Sequence, residues 1–106
     1  MSSFVAVADV DRLSVGKTMR VECQGRKILI ANVEGILHAV DDTCTHEDSS
    51  LSLGCLKGEL IHCTLHGSRF SVRTGEPMEE PATEALRVYP IKVDGAKIML
   101  DPQGAQ

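Results

Sequence analysis

The stretch from Cys44 to Ser68, CTHEDSSLSLGCLKGELIHCTLHGS, carries two mixed donor pairs, Cys44-x-His46 and Cys63-x-x-His66. Sixteen residues separate His46 from Cys63, enough for an outward loop and a returning strand. To bring one thiolate and one imidazole from each of two short segments to a single place, a chain needs rigid elements beneath both segments. That requirement excludes most folds before any other feature is considered.

The flanking sequence supplies such elements as strands. MRVEC and RKILIANV are separated by Gln24-Gly25, KILIANV and ILHAV by Glu34-Gly35, and VYPIKV and KIMLD by Asp94-Gly95-Ala96. Short β-branched runs broken by glycine turns predict an all-β, antiparallel domain. On this map the donor pairs fall in two loops at strand ends. One follows ILHAV and the turn DDT, and the other follows ELIHC and precedes RFSV. Only RLSVG and PATEAL could hold a helical turn, and the final DPQGAQ is expected to fray. There is no internal repeat or linker.

With 106 residues, 42% of them hydrophobic, the chain is expected to form one domain with a modest core and no second catalytic domain. The only aromatic residues are Phe4, Phe70 and Tyr89, so the core must be mainly aliphatic, and an embedded inorganic centre would add stability. A net charge of −4 with the two signs interspersed lacks the basic patch of a nucleic-acid surface and suits a basic docking partner. The N-terminus MSSFVAVADVDRL does not read as a signal peptide, and no apolar run approaches the roughly 18 residues of a membrane span. The expectation is a soluble, cytoplasmic protein whose thiols bind metal or stay free.

Not every Cys and His reads as a ligand. Cys23, in RVEC, is read as a small hydrophobe, and Cys55, in the loop LGCLKG, has no histidine at ligand spacing. His38 and His62 lie within strand-like runs and read as ordinary strand side chains. The four residues of the mixed pairs remain as the metal donors. Structural zinc accepts two Cys and two His, but usually with like donors grouped in one segment. A mixed pair from each loop suits a two-iron centre better, each loop giving its Cys to one iron and its His to the other.

In these residues the chain resembles the Rieske [2Fe–2S] family, whose signature is Cys-x-His, a spacer of similar length, and Cys-x-x-His; Gly67 and Ser68 also fit. The resemblance implies a Rieske-type antiparallel β sandwich over residues 1–106, with a base domain of about 1–42 and 69–106 and a two-loop cluster-binding subdomain of about 43–68. It implies one [2Fe–2S] cluster, with Cys44 and Cys63 on the inner ferric iron and His46 and His66 on the outer, reducible iron through Nδ1. A proline-containing loop around Pro81 would cover a third side.

Replacing two thiolates by neutral imidazoles leaves the oxidised centre near neutral and the reduced centre near −1, which raises the potential. Outward Nε2 protons would face a partner and couple potential to pH in alkaline solution. Where respiratory members of the family carry an extra disulfide, this chain has Ser49 and Leu65. Ser68 matches a serine donor to the cluster, but Phe70 stands where those members have a tyrosine. One fewer donor predicts a potential toward the low end of the Rieske range of roughly −150 to +300 mV.

His38 and His62 show no facial-triad spacing for the mononuclear iron of a terminal oxygenase. The resemblance therefore implies a non-catalytic electron carrier of aromatic hydrocarbon catabolism: the ferredoxin of a multicomponent aromatic-ring dioxygenase, serving a flavoprotein ferredoxin reductase and a terminal Rieske oxygenase. It is expected to be monomeric, with Glu47 and Asp48 as acidic contacts near the His46 and His66 edge. Two alternatives stay open: the small Rieske-like subunit of assimilatory nitrite reductase, and a zinc-stabilised interaction module.

Overall fold

A computed structural model describes residues 4–43, 51, 54–62, 69–79 and 85–104. Two tight hairpins organise the middle of the molecule. Strands β2 (Thr18–Cys23), β3 (Arg26–Val33) and β4 (Ile36–Asp41) are joined by Gln24-Gly25 and Glu34-Gly35, in the order the sequence predicts. Both residues of each turn have positive φ, the two-residue geometry whose twist matches antiparallel strands.

Three antiparallel sheets result. The first runs β1 (Val5–Asp9), β11 (Lys97–Leu100), β10 (Ile91–Asp94). The second runs β2, β3, β4, β9 (Val88–Tyr89). The third runs β5 (Cys55–Lys57), β6 (Leu60–His62), β7 (Arg69–Ser71), β8 (Pro77–Glu79). No α-helix occurs among the described residues, and no helix there is long and apolar enough to cross a membrane.

The second sheet is the middle layer, as its side chains show. Ile28 and Ile30 of β3 pack with Ile98 and Leu100 of the first sheet, Tyr89 and Leu13, whereas Leu29 and Ala31 pack with Ile61, Phe70 and Val72 on the third-sheet side. This two-sided burial explains why KILIA is an unbroken apolar run rather than an alternating one. Each fully buried Ile, Leu or Phe contributes about 1.5–3 kcal/mol. Phe70 and Tyr89 sit in opposite cores, one aromatic ring in each aliphatic cluster.

Some expectations need correction. VYPIKV is not one strand: Val88–Tyr89 pairs with β4, and Ile91–Asp94 pairs with β11. Pro90 lies between them without an N–H to give a ladder, and its carbonyl accepts from Asp101 N at 3.1 Å. The helical turn expected in RLSVG is a 3-10 turn at Val10–Arg12, just upstream. Cys55 opens strand β5 instead of lying in a loop. Most of PATEAL lies outside the described residues.

Candidate metal centre

The proposed donors Cys44, His46, Cys63 and His66 lie outside the described residues, as do Glu47, Asp48, Ser49, Leu65, Gly67, Ser68 and Pro81. What the structure describes is the roots from which their segments spring, and these roots converge. Strand β4 ends at Asp41, three residues before Cys44; β6 ends at His62, next to Cys63; β7 begins at Arg69, three residues after His66.

A chain of contacts joins the two roots. Leu51 N donates to Asp42 O at 2.6 Å, closing the first segment at its base, and Gly54 N donates to Leu51 O at 2.9 Å. Gly54 in turn lies so close to β6 that an added Cβ would stand 1.8 Å from the His62 carbonyl oxygen. The backbone just before Cys63 is thus fixed against the backbone that closes the Cys44 segment. Beneath both, Val40, Leu51, Ile61 and Phe70 are fully buried in one apolar cluster. The exit of the segment that includes Pro81 is anchored nearby, where Leu86 N donates to Gly75 O at 2.7 Å and Leu86 joins the same cluster.

Polar groups brace the root of the first segment from the other side. Asp42, 1% exposed, receives Arg20 Nε at 3.4 Å and donates its own N–H to Lys27 O at 3.0 Å. Asp41 accepts from the Tyr89 hydroxyl at 2.5 Å and from Arg87 N at 3.3 Å. Burial, then the hydrogen bond to Asp41, pushes the Tyr89 phenol above its ordinary pKa against the opposing pull of Arg26.

The residues read as bystanders lie among the described ones. His38 is half-buried in β4, and burial is the main cause that lowers its pKa, Glu59 opposing it. His62 lies in β6 opposite Cys55 and Arg69. Cys23 is half-buried rather than fully buried, and Cys55 is exposed; both are free thiols. Among the described residues no group of three or more His, Cys, Asp or Glu side chains could hold a metal. No local signal marks Gly54 or Leu51 as the residues that tie the two roots together; only the fold shows their contact.

Two Cys and two His, in the segments that leave these joined roots, fit a mixed-ligand [2Fe–2S] centre in donor chemistry. Comparison with known proteins agrees. The family model of the Rieske [2Fe-2S] domain matches residues 3–90, and the chain belongs to that family. It is 38% identical over 100 residues to the biphenyl dioxygenase ferredoxin subunit of Pseudomonas sp. (strain KKS102), covering 93% of this chain and 92% of that one. The ferredoxin of carbazole 1,9a-dioxygenase from Nocardioides aromaticivorans IC177 superposes with a TM-score of 0.90 at 32% identity, covering 95% of this chain and 99% of that chain. A chain in the complex of reduced oxygenase and oxidized ferredoxin of carbazole 1,9a-dioxygenase gives a TM-score of 0.89 at 31% identity, covering 95% and 94% of the two chains.

Proposed function

We propose that this protein is the single-electron carrier of a multicomponent aromatic-ring dioxygenase, taking electrons from a flavin-containing reductase and passing them to a terminal Rieske oxygenase. The carrying observation is the agreement with a dioxygenase ferredoxin over 93% of this chain and 92% of the relative. When bound, the Rieske cluster supplies a site that gains and loses one electron near neutral charge. Cys44 and Cys63 would hold one iron and His46 and His66 the other. The chain's own contribution is placement: the Asp42, Leu51, Gly54 and His62 backbone contacts tie the roots of the two donor segments together beside a buried apolar cluster.

The division into a base domain of about 1–42 and 69–106 and a cluster-binding subdomain of about 43–68 belongs to the same reading, with β7 and β8 continuing the third sheet past the boundary. So do a monomeric state, a cytoplasmic location and docking through the His46 and His66 edge, with Glu47 and Asp48 meeting basic partner groups. The complete donor set weighs against a nitrite reductase small subunit, and membership of the Rieske family leaves the zinc module without support.

The test is a reductive titration followed by electron paramagnetic resonance, with ascorbate and then dithionite. A rhombic Rieske-type signal that appears only with dithionite is expected. A full signal with ascorbate would keep the cluster but overturn the low potential. A colourless, zinc-containing protein with no signal would sink the carrier reading.

A further inference from the structure

Charge is distributed unevenly over this acidic chain. Its formal net charge is −4, yet a surface cavity of about 310 Å³ is lined by Arg26, Lys27 and Arg87, with Asp41, Thr43 and Tyr89 in the same wall. Asp41 is the only carboxylate among the described residues of that lining, and both its oxygens already accept hydrogen bonds, from the Tyr89 hydroxyl and from Arg87 N. Among the described residues of the wall, three cations against one carboxylate leave a formal charge of +2. The ion pairs of Arg20 with Glu22 and Asp42, of Arg73 with Glu59, and of Lys97 with Asp9 draw on none of these three cations.

The cavity's position gives this charge a use. Thr43 lines it and directly precedes Cys44, so whatever sits there adjoins the start of the first donor segment. We propose that the cavity is a docking contact that receives an acidic side chain of an electron-transfer partner protein, seated between Arg26, Lys27 and Arg87 beside Thr43. This inference rests on the carrier reading above. Guanidinium forks match a carboxylate in two-point geometry, and a concave wall of one sign focuses the field toward an approaching anion. A carrier that must dock and leave repeatedly gains from charge in its association rate more than in its affinity.

The test uses the cluster-loaded protein with its reductase and its oxygenase, each followed by stopped-flow absorbance at low and high ionic strength. The double variant Lys27→Gln/Arg87→Gln removes two exposed cations and leaves the Arg87 N–H on Asp41 in place. Arg12→Gln, exposed and outside the cavity lining, is the control. The double variant should lose on the order of tenfold in second-order rate with at least one partner at low ionic strength, and the loss should close at high salt. Its paramagnetic signal and midpoint potential should be unchanged. In the parent protein, carbodiimide should couple Lys27 to an Asp or Glu of that partner, as located by mass spectrometry. Unchanged or faster rates with both partners would overturn the proposal. So would protection of Lys27 from acetylation by millimolar inorganic phosphate without any effect of the double variant on rate, which would mark a small-anion site. If the parent shows no Rieske signal, the carrier reading itself has failed; an intact signal with unaffected rates removes only the docking contact.

Discussion

The Tyr89 hydroxyl donates to Asp41 Oδ1 at 2.5 Å, tying β9 to the end of β4 three residues before Cys44. Tyr89 is 2% exposed, and burial is the first reason its phenol stays protonated to higher pH than usual. Removing the hydroxyl in Tyr89→Phe should cost about 1–2 kcal/mol at pH 7, read from the urea midpoint, because Asp41 is exposed enough to recruit water in its place. The pH dependence follows from the direction of the shift. A phenol with a raised folded pKa contributes stability that is complete below the unfolded value of about 10 and is lost as pH rises through the folded value. The parent should therefore lose stability above about pH 10, and Tyr89→Phe should lose less over the same range.

Gly54 offers a test of how the two donor segments are held together. A Cβ at this position would stand 1.8 Å from His62 O and 3.3 Å from Leu51 O, and both obstacles are backbone. Gly54→Ala must therefore push the closing turn of the first segment away from the root of the second. The expected cost is about 2–4 kcal/mol, seen as a lowered Tm, with a parallel loss of iron per chain. A variant with normal Tm and full iron content would show that the two roots can move apart without consequence.

The hairpins were legible because Gln24-Gly25 and Glu34-Gly35 are local signals: two residues with positive φ between matched strands. The donor pairs are also short-range spacings, read from the sequence alone, and their four residues lie outside the described residues. What escaped the sequence was set at long range. Pro90 divides VYPIKV between two sheets because β4 and β11 compete for its flanks, and strands β5, β7 and β8 are only three residues each, too short for a period to show. The cationic cavity draws Arg26, Lys27 and Arg87 from positions some sixty residues apart, and a net charge of −4 concealed it.

Cys23 and Cys55 test the division between ligand and bystander. Cys23 is half-buried at the end of β2 and Cys55 is exposed at the start of β5, and neither shares a cluster with other donors among the described residues. Cys23→Ser and Cys55→Ser should therefore leave the visible spectrum of the loaded protein unchanged. Cys44→Ser and Cys63→Ala should abolish it, and with it much of the thermal stability, since a metal centre bound only by the native state adds its binding free energy to folding. Visible absorbance and iron content, measured on all four variants purified in parallel, check the assignment residue by residue.

Phe70 tests how the surroundings of the cluster set its potential. Its side chain is fully buried, opposite Ile61 and Pro77 in the third sheet, in the apolar cluster that also holds Leu51. Phe70→Tyr adds one hydroxyl at a site that tolerates no unpaired polar group, where an unsatisfied donor costs about 1–3 kcal/mol. If the ring edge faces the cluster, the hydroxyl finds an acceptor whose negative charge grows on reduction. The midpoint potential should then rise by about 40 mV, the one-electron equivalent of roughly 1 kcal/mol, with stability kept. If the edge faces the aliphatic interior, the urea midpoint falls and the potential stays where it was. Voltammetry and urea unfolding on the same preparation distinguish the two, and the expected result is a raised potential in a protein no less stable than its parent.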